Sequence, residues 1–85
     1  MRNVTFSDHA AQRLAERGVR EEWVRLAVEE PTRVDRDSAS PDRESRLRRI
    51  EDFENRVLRV VVTRGRPLRV ITAFFDRSLF TDPDL

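Results

Sequence analysis

The chain has 85 residues carrying 17 Arg and 16 acids, a formal net charge of +1, and 38% hydrophobic residues, which is enough for one small domain (residues 1–85) with a single core. With no cysteine and one histidine, disulfide frameworks, thiolate metal sites, thiol nucleophiles and multi-histidine metal centres are excluded, and nothing in the composition calls for a cofactor. The start, MRNVTFSDHA, lacks the apolar stretch of a signal peptide, and no apolar run approaches the roughly 20 residues that cross a bilayer. The expectation is a cytoplasmic protein with no membrane partner.

The near-neutral total hides a segmented distribution. Residues 1–42 carry 7 Arg against 9 acids, residues 43–55 carry 4 against 4, and residues 56–77 carry 6 Arg against 1 acid; the last eight residues add two acids. Positive charge is therefore concentrated on residues 56–77, where a local patch can attract a polyanion through counterion release. Every basic residue is Arg; Arg suits bidentate phosphate contacts, although a genome-wide codon bias gives the same exclusive usage.

In chain order, residues 3–6 read as a short edge strand. Ser7 is an N-cap for a helix from Asp8 to Arg17, with Asp8 at the positive end and Gly18 as the left-handed stop. At about 100° per residue, Ala10, Ala11, Leu14, Ala15 and Gly18 fall on one arc. His9, Arg13, Glu16 and Arg17 gather on the other side, so the only histidine has Arg13 one turn away and a phosphate could meet both. The ordinary alternative is a solvated stripe in which Arg13 pairs with Glu16 and Arg17 with Glu21.

A second helix is expected from Glu21 to Glu30, acidic at its start and ended by Pro31, with Trp23, Val24, Leu26, Ala27 and Val28 facing a core. Trp23 could stack a base, but its apolar neighbours favour packing. Thr32–Asp37 suggests a short strand and SASPD a loop. The next strand is placed within Ser45–Phe53, where Arg46, Arg48 and Arg49 crowd its start and suggest a bulge or an exposed edge. Glu54-Asn55 turns the chain, and the acidic end, Ser78–Leu85, is either a last turn or disordered.

Residues 56–77, RVLRVVVTRGRPLRVITAFFDR, read as a β-hairpin: Val57–Thr63 and Leu68–Phe75 are rich in β-branched and aromatic residues, and Gly65-Arg66 supplies a two-residue turn. Setting Arg64 opposite Pro67 makes Arg59 face Thr72, Val60 face Ile71 and Leu58 face Ala73. One face then holds Leu58, Val60, Val62, Ile71 and Ala73 with Arg69 at its rim. The other holds Val57, Arg59, Val61, Thr63, Leu68, Val70, Thr72 and Phe74. A guanidinium beside a hydroxyl on an open sheet can bind phosphate; the plain reading is a solvated Arg-Thr pair. The apolar residues on that second face also suit a homodimer or another protein interface.

The combination FSDHAAQRLAERGV, an acidic helix ending at Pro31, and a strand-rich half closing on LRVVVTRGRPLRVITAFF resembles small bacterial domains allied to the RelE/ParE-like toxins, within the barnase/EndoU/colicin/RelE-like nuclease grouping. His9, Arg13, Arg17 and Gly18 in the spacing His-x-x-x-Arg-x-x-x-Arg-Gly carry it most specifically, followed by the VITAF strand. The resemblance implies an α+β domain with two N-terminal helices packed on a small antiparallel sheet. It also implies a toxin-like, metal-independent endoribonuclease of a toxin-antitoxin system, with RNA as substrate and an antitoxin protein as partner. Carried over residue by residue, the catalytic candidates are His9, Arg13, Arg59 and Thr72, and the substrate-binding candidates are Arg17, Arg46 and Arg48. Attack of a ribose 2′-hydroxyl on the adjacent phosphate would use a histidine as base or acid, with Arg and Thr holding the phosphate. A single histidine leaves the second proton transfer to water or Asp76. The absence of Lys and Tyr, and the acidic end, depart from many relatives and argue against ribosome-dependent cleavage. The alternative is a non-catalytic module of the same fold that binds nucleic acid or protein.

Overall fold

Helix signals and strand signals separate cleanly along the chain. In the computed structural model, which describes residues 4–65 and 67–85, the order is β1 (Val4–Phe6), α1 (Asp8–Arg17), α2 (Glu21–Glu29), β2 (Arg33–Arg36), β3 (Arg43–Ile50), β4 (Arg56–Thr63) and β5 (Leu68–Phe75). Single 3₁₀ turns occupy Glu51–Phe53 and Arg77–Leu79. The expected α+β class holds. The sheet runs β1-β5-β4-β3-β2; β2 to β5 form an antiparallel meander, while β1 lies at one edge parallel to β5, making the sheet mixed.

Helix α1 begins where Ser7 Oγ accepts from Ala10 N at 3.0 Å, and ends at Gly18 with φ of 67°, a left-handed conformation that glycine takes without a Cβ penalty. Its buried stripe is narrower than the expected arc: Ala10 and Leu14 are buried, whereas Ala11 and Ala15 stay exposed. Helix α2 buries Trp23, Val24, Ala27 and Val28. These side chains meet Ile50, Leu58, Val60, Val62, Val70 and Ala73 from the sheet in one cluster. Trp23 sits 5.5 Å from Phe53 and 6.0 Å from Phe75, ring to ring, so it is core, as its neighbours indicated.

Strand β3 starts two residues earlier than expected and stops at Ile50, because Glu51–Phe53 turns Phe53 back onto Phe75 at 4.6 Å. The arginines that suggested an edge or a bulge lie instead on an inner strand with an unbroken register to β4. Their heads solve a local problem. Helix α2 ends without a glycine cap, and its last carbonyls need donors; Arg46 NH1 donates to Val28 O at 2.7 Å and Arg48 NH1 to Glu30 O at 2.6 Å. Glu54 and Asn55, with φ of 54° and 56°, form the expected turn into β4.

Candidate nucleic-acid interface

The β4–β5 ladder decides which side chains share the face away from the helices. The sequence put Arg59 opposite Thr72; the structure pairs Arg59 with Phe74 and Thr72 with Val61. Two shifts produce this. Nearest the turn the ladder pairs Thr63 with Arg69 and Val62 with Val70, one residue out of the expected register, since Pro67 has no N–H to give a ladder. Ile71 then forms a bulge between Val70 and Thr72, adding a second step. Arg66, the other half of the expected turn, lies outside the described residues.

A one-residue slip exchanges faces and a two-residue slip restores them. Between turn and bulge the faces are therefore reversed: Val70 is fully buried beside Val62, and Arg69, expected at the core rim, is exposed on the far side. Beyond the bulge, Arg59 and Thr72 still share a face but as diagonal neighbours. The apolar content of this open face falls accordingly. Val70 belongs to the helix-side core, and Val57, although on this side, is 1% exposed. Val61 and Phe74 are the half-buried apolar residues that remain.

Cross-strand pairs arrange the open face in rows. Arg43, Thr63, Arg69 and Thr5 make one row across β3, β4, β5 and β1. Asp35, Ser45, Val61 and Thr72 make the next, and Arg33, Leu47, Arg59 and Phe74 the third. In the last, Arg49 faces Val57.

At the β2–β5 end of this face most cations are spoken for by the chain's own segment 76–85. Arg59 Nε donates to Asp76 Oδ2 at 3.0 Å, and Arg33 NH1 to Asp82 Oδ2 at 3.1 Å. Arg49 donates to the carbonyl oxygens of Asn55, Phe80, Asp82 and Leu85 at 2.6–3.1 Å. The Ser78 hydroxyl, then the Arg59 guanidinium, hold the Asp76 carboxyl below its ordinary range. The Asp84 N–H, then Arg33, do the same for Asp82. The acidic end is thus a turn fastened to the sheet.

Arg17 enters the same face from outside the sheet. β1 pairs only with Leu68–Val70, so β1 leaves the edge of β5 beyond the bulge uncovered. There Arg17 NH1 donates to Thr72 Oγ1 at 3.1 Å and to Ala73 O at 3.0 Å, with its guanidinium carbon 5.9 Å from the Phe74 ring centre. Its expected alternative partner, Glu21, pairs with Arg25 at 2.8 Å. Arg17 is the exposed end of the His9, Arg13, Arg17 stripe. Eight residues at 1.5 Å each set His9 about 12 Å along the helix from Arg17.

Of the seven candidates, the structure joins Arg17 to Thr72, leaves His9 and Arg13 exposed on the same helix stripe, and gives Arg59 to Asp76. Arg46 is 9% exposed on the helix side and pairs with Glu44 at 3.0 Å, and Arg48 caps α2 from that side; neither shares a face with Thr72. Sequence reading missed Arg43 and Arg69, both exposed and without a side-chain hydrogen bond or ion pair among the described residues. The signal that would have found Arg69 is Pro67, which forbids the two-residue register; the face of Arg43 follows from the β3–β4 pairing, which has no such local signal.

A separate cleft of about 360 Å³ is lined by Glu54, Arg56, Val57, Phe75, Asp76, Arg77 and Phe80; Arg56 is paired there with Glu54. Among the described residues no cluster of three or more metal-ligating side chains occurs, and no helix is long and apolar enough to cross a membrane. Residues 6–75 match a family described as "Domain of unknown function (DUF4258)". No curated protein and no solved structure matches the chain.

Proposed function

The chain belongs to the DUF4258 family, and we propose that it is an RNA-binding protein whose open sheet face takes the phosphate backbone, centred on Arg17 and Thr72. The observation that carries this reading is the hydrogen bond from Arg17 NH1 to Thr72 Oγ1 at 3.1 Å. It fixes a guanidinium, with further N–H donors to spare, and a hydroxyl at one point of the face. Arg13 extends the positive stripe from there along α1. The resemblance to RelE/ParE-like toxins supports RNA as the polyanion and an antitoxin as a protein that would cover the face.

Metal-independent cleavage is a second reading, favoured by the exposure of His9 on the stripe that ends at Thr72. A general base would take the 2′-hydroxyl proton as its oxygen attacks phosphorus. A general acid would protonate the departing 5′-oxygen, leaving a 2′,3′-cyclic phosphate. His9 can fill one role. Asp76 is a poor acid for the other, since Ser78 and Arg59 hold it ionised. Binding therefore ranks above cleavage.

The test is purified protein with total cellular RNA in EDTA, wild type against His9→Ala and Arg17→Ala, with folds checked by circular dichroism. Retention of RNA that is lost in Arg17→Ala, without fragments, supports the binding reading. Fragments with cyclic ends made by wild type and not by His9→Ala establish the nuclease. Intact, unbound RNA with folded wild type overturns both.

A further inference from the structure

We infer that the row Arg43, Thr63, Arg69 and Thr5 is a second phosphate site, so that a single RNA strand runs from the Arg17–Thr72 centre across β5 and β4 toward the hairpin end. The inference deepens the RNA-binding reading and rests on it.

The row is built by the register. Arg43 pairs with Thr63, Thr63 with Arg69, and Arg69 with Thr5, which alternates two guanidiniums with two hydroxyls across four strands. Arg43 and Arg69 lie two strand spacings apart, about 10 Å. Their heads can converge on one phosphate over Thr63 or take two successive ones. Thr5 Oγ1 leans on Leu68 O at 3.4 Å, a weak contact that leaves it able to donate elsewhere.

Charge separates this row from the rest of the face. Arg33, Arg49 and Arg59 meet carboxylates or carbonyls of the chain itself, whereas the one acid at the end of the Arg43 row, Asp37, whose N–H donates to Arg43 O at 3.3 Å, turns its carboxylate to the Ala39 N–H at 2.9 Å and makes no ion pair among the described residues. Of the two acids beside Arg43 in sequence, Glu44 pairs with Arg46 on the helix side, and Asp42 makes no ion pair among the described residues, its carbonyl accepting from Arg64 N at 2.8 Å. Arg64 also donates to Pro41 O, which ties the β4–β5 turn to the loop before β3 at the Arg43–Thr63 end of the row.

The bulge fixes the distance to the first site. The Thr72 and Arg69 rows are three residues apart on β5, where Ile71 is the bulge, and two residues apart on β4, Val61 to Thr63, about 7 Å of strand, with half-buried Val61 opposite Thr72. A ligand with one phosphate reaches one site; a strand of several nucleotides reaches both.

Fluorescence anisotropy with a labelled 12-nucleotide RNA and with a labelled dinucleotide tests this, using wild type, Arg69→Ala, Arg69→Lys and Arg43→Ala. Arg36→Ala serves as a control for charge alone, since Arg36 is exposed on β2 and pairs with Glu44 in the ladder, on the helix side. The expected result is a roughly 5- to 30-fold loss of 12-mer affinity in Arg69→Ala, a salt slope lower by about 1, and partial return in Arg69→Lys. Arg36→Ala and all dinucleotide affinities should stay within about twofold. If wild type binds the 12-mer and Arg69→Ala and Arg43→Ala behave as Arg36→Ala, the second site is wrong while the RNA reading stands. If wild type binds neither RNA, both fall.

Discussion

Strand β3 uses its arginines in two ways, and the contrast between the two faces of the sheet turns on it. Arg46 and Arg48 point to the helix side, where their stems lie along the core and their heads satisfy Val28 O, Glu30 O and Glu44. Arg43 and Arg49, on the alternate residues, point to the open side. Arg49 fastens the chain's acidic end; Arg43 remains exposed. In a chain with 17 Arg and no Lys, charge alone does not separate a capping residue from a ligand-binding one. The burial and the acceptor do.

The contrast is broken most severely at Arg46. Arg46→Ala leaves Glu44, 6% exposed, as a buried charge without its partner and Val28 O without its donor. The expected loss is about 3–5 kcal/mol in urea unfolding. Arg46→Met with Glu44→Leu should recover much of it, because removing both charges leaves nothing unpaired. A loss under about 1 kcal/mol for Arg46→Ala would mean that the helix side does not depend on this arginine.

Next in size is Arg49→Ala. Losing the donors to four carbonyls should lower stability by about 2 kcal/mol and make segment 76–85 cleavable by protease while the remainder resists. Uniform resistance would show that Asp76 and Asp82 suffice to hold the segment. Arg17→Ala belongs to the other class: its site is exposed, so stability should change by less than about 1 kcal/mol. RNA affinity should fall about tenfold, an energy of about 1.4 kcal/mol.

The smallest effect is with pH. The Asp76 and Asp82 carboxyls are held below their ordinary value of 3.8, so the stability they lend is fully present above that value and is lost as pH falls below it, through their depressed range. Exchange protection of the Asp76 amide, bonded to Val57 O at 2.9 Å, should hold steady from neutral pH to about 4 once the intrinsic rate is corrected. Loss of protection between pH 5 and 6 would contradict the ion pairs.

Local signals survived folding wherever the chemistry was local. Ser7, Asp8 and Gly18 set both ends of α1 because an N-cap hydroxyl and a left-handed glycine act within one turn, and Glu54-Asn55 did the same for the entry to β4. What failed needed distant information. The role of Arg46 and Arg48 depends on where α2 ends in space, and the parallel placement of β1 against β5 is a contact between chain ends. The His9–Arg13–Arg17 stripe was legible from helical periodicity, but not that Arg17 would cross the β5 edge to Thr72. The Arg59–Thr72 pairing failed by a countable amount, one residue at Pro67 and one at Ile71.

Ile71 amounts to an insertion written into a hairpin that reads regularly without it. Excise it, and Arg69, Val70, Thr72 and Ala73 alternate outward and inward without interruption, every remaining residue keeping its side. A chain of 84 residues should therefore keep the same core, but Thr72 and Ala73 would be drawn about one residue length along the β5 edge relative to α1, out of step with Arg17. Such a deletion changes no charge and removes no candidate side chain. It is a ruler for how closely the two elements must be set for the open face to hold its ligand.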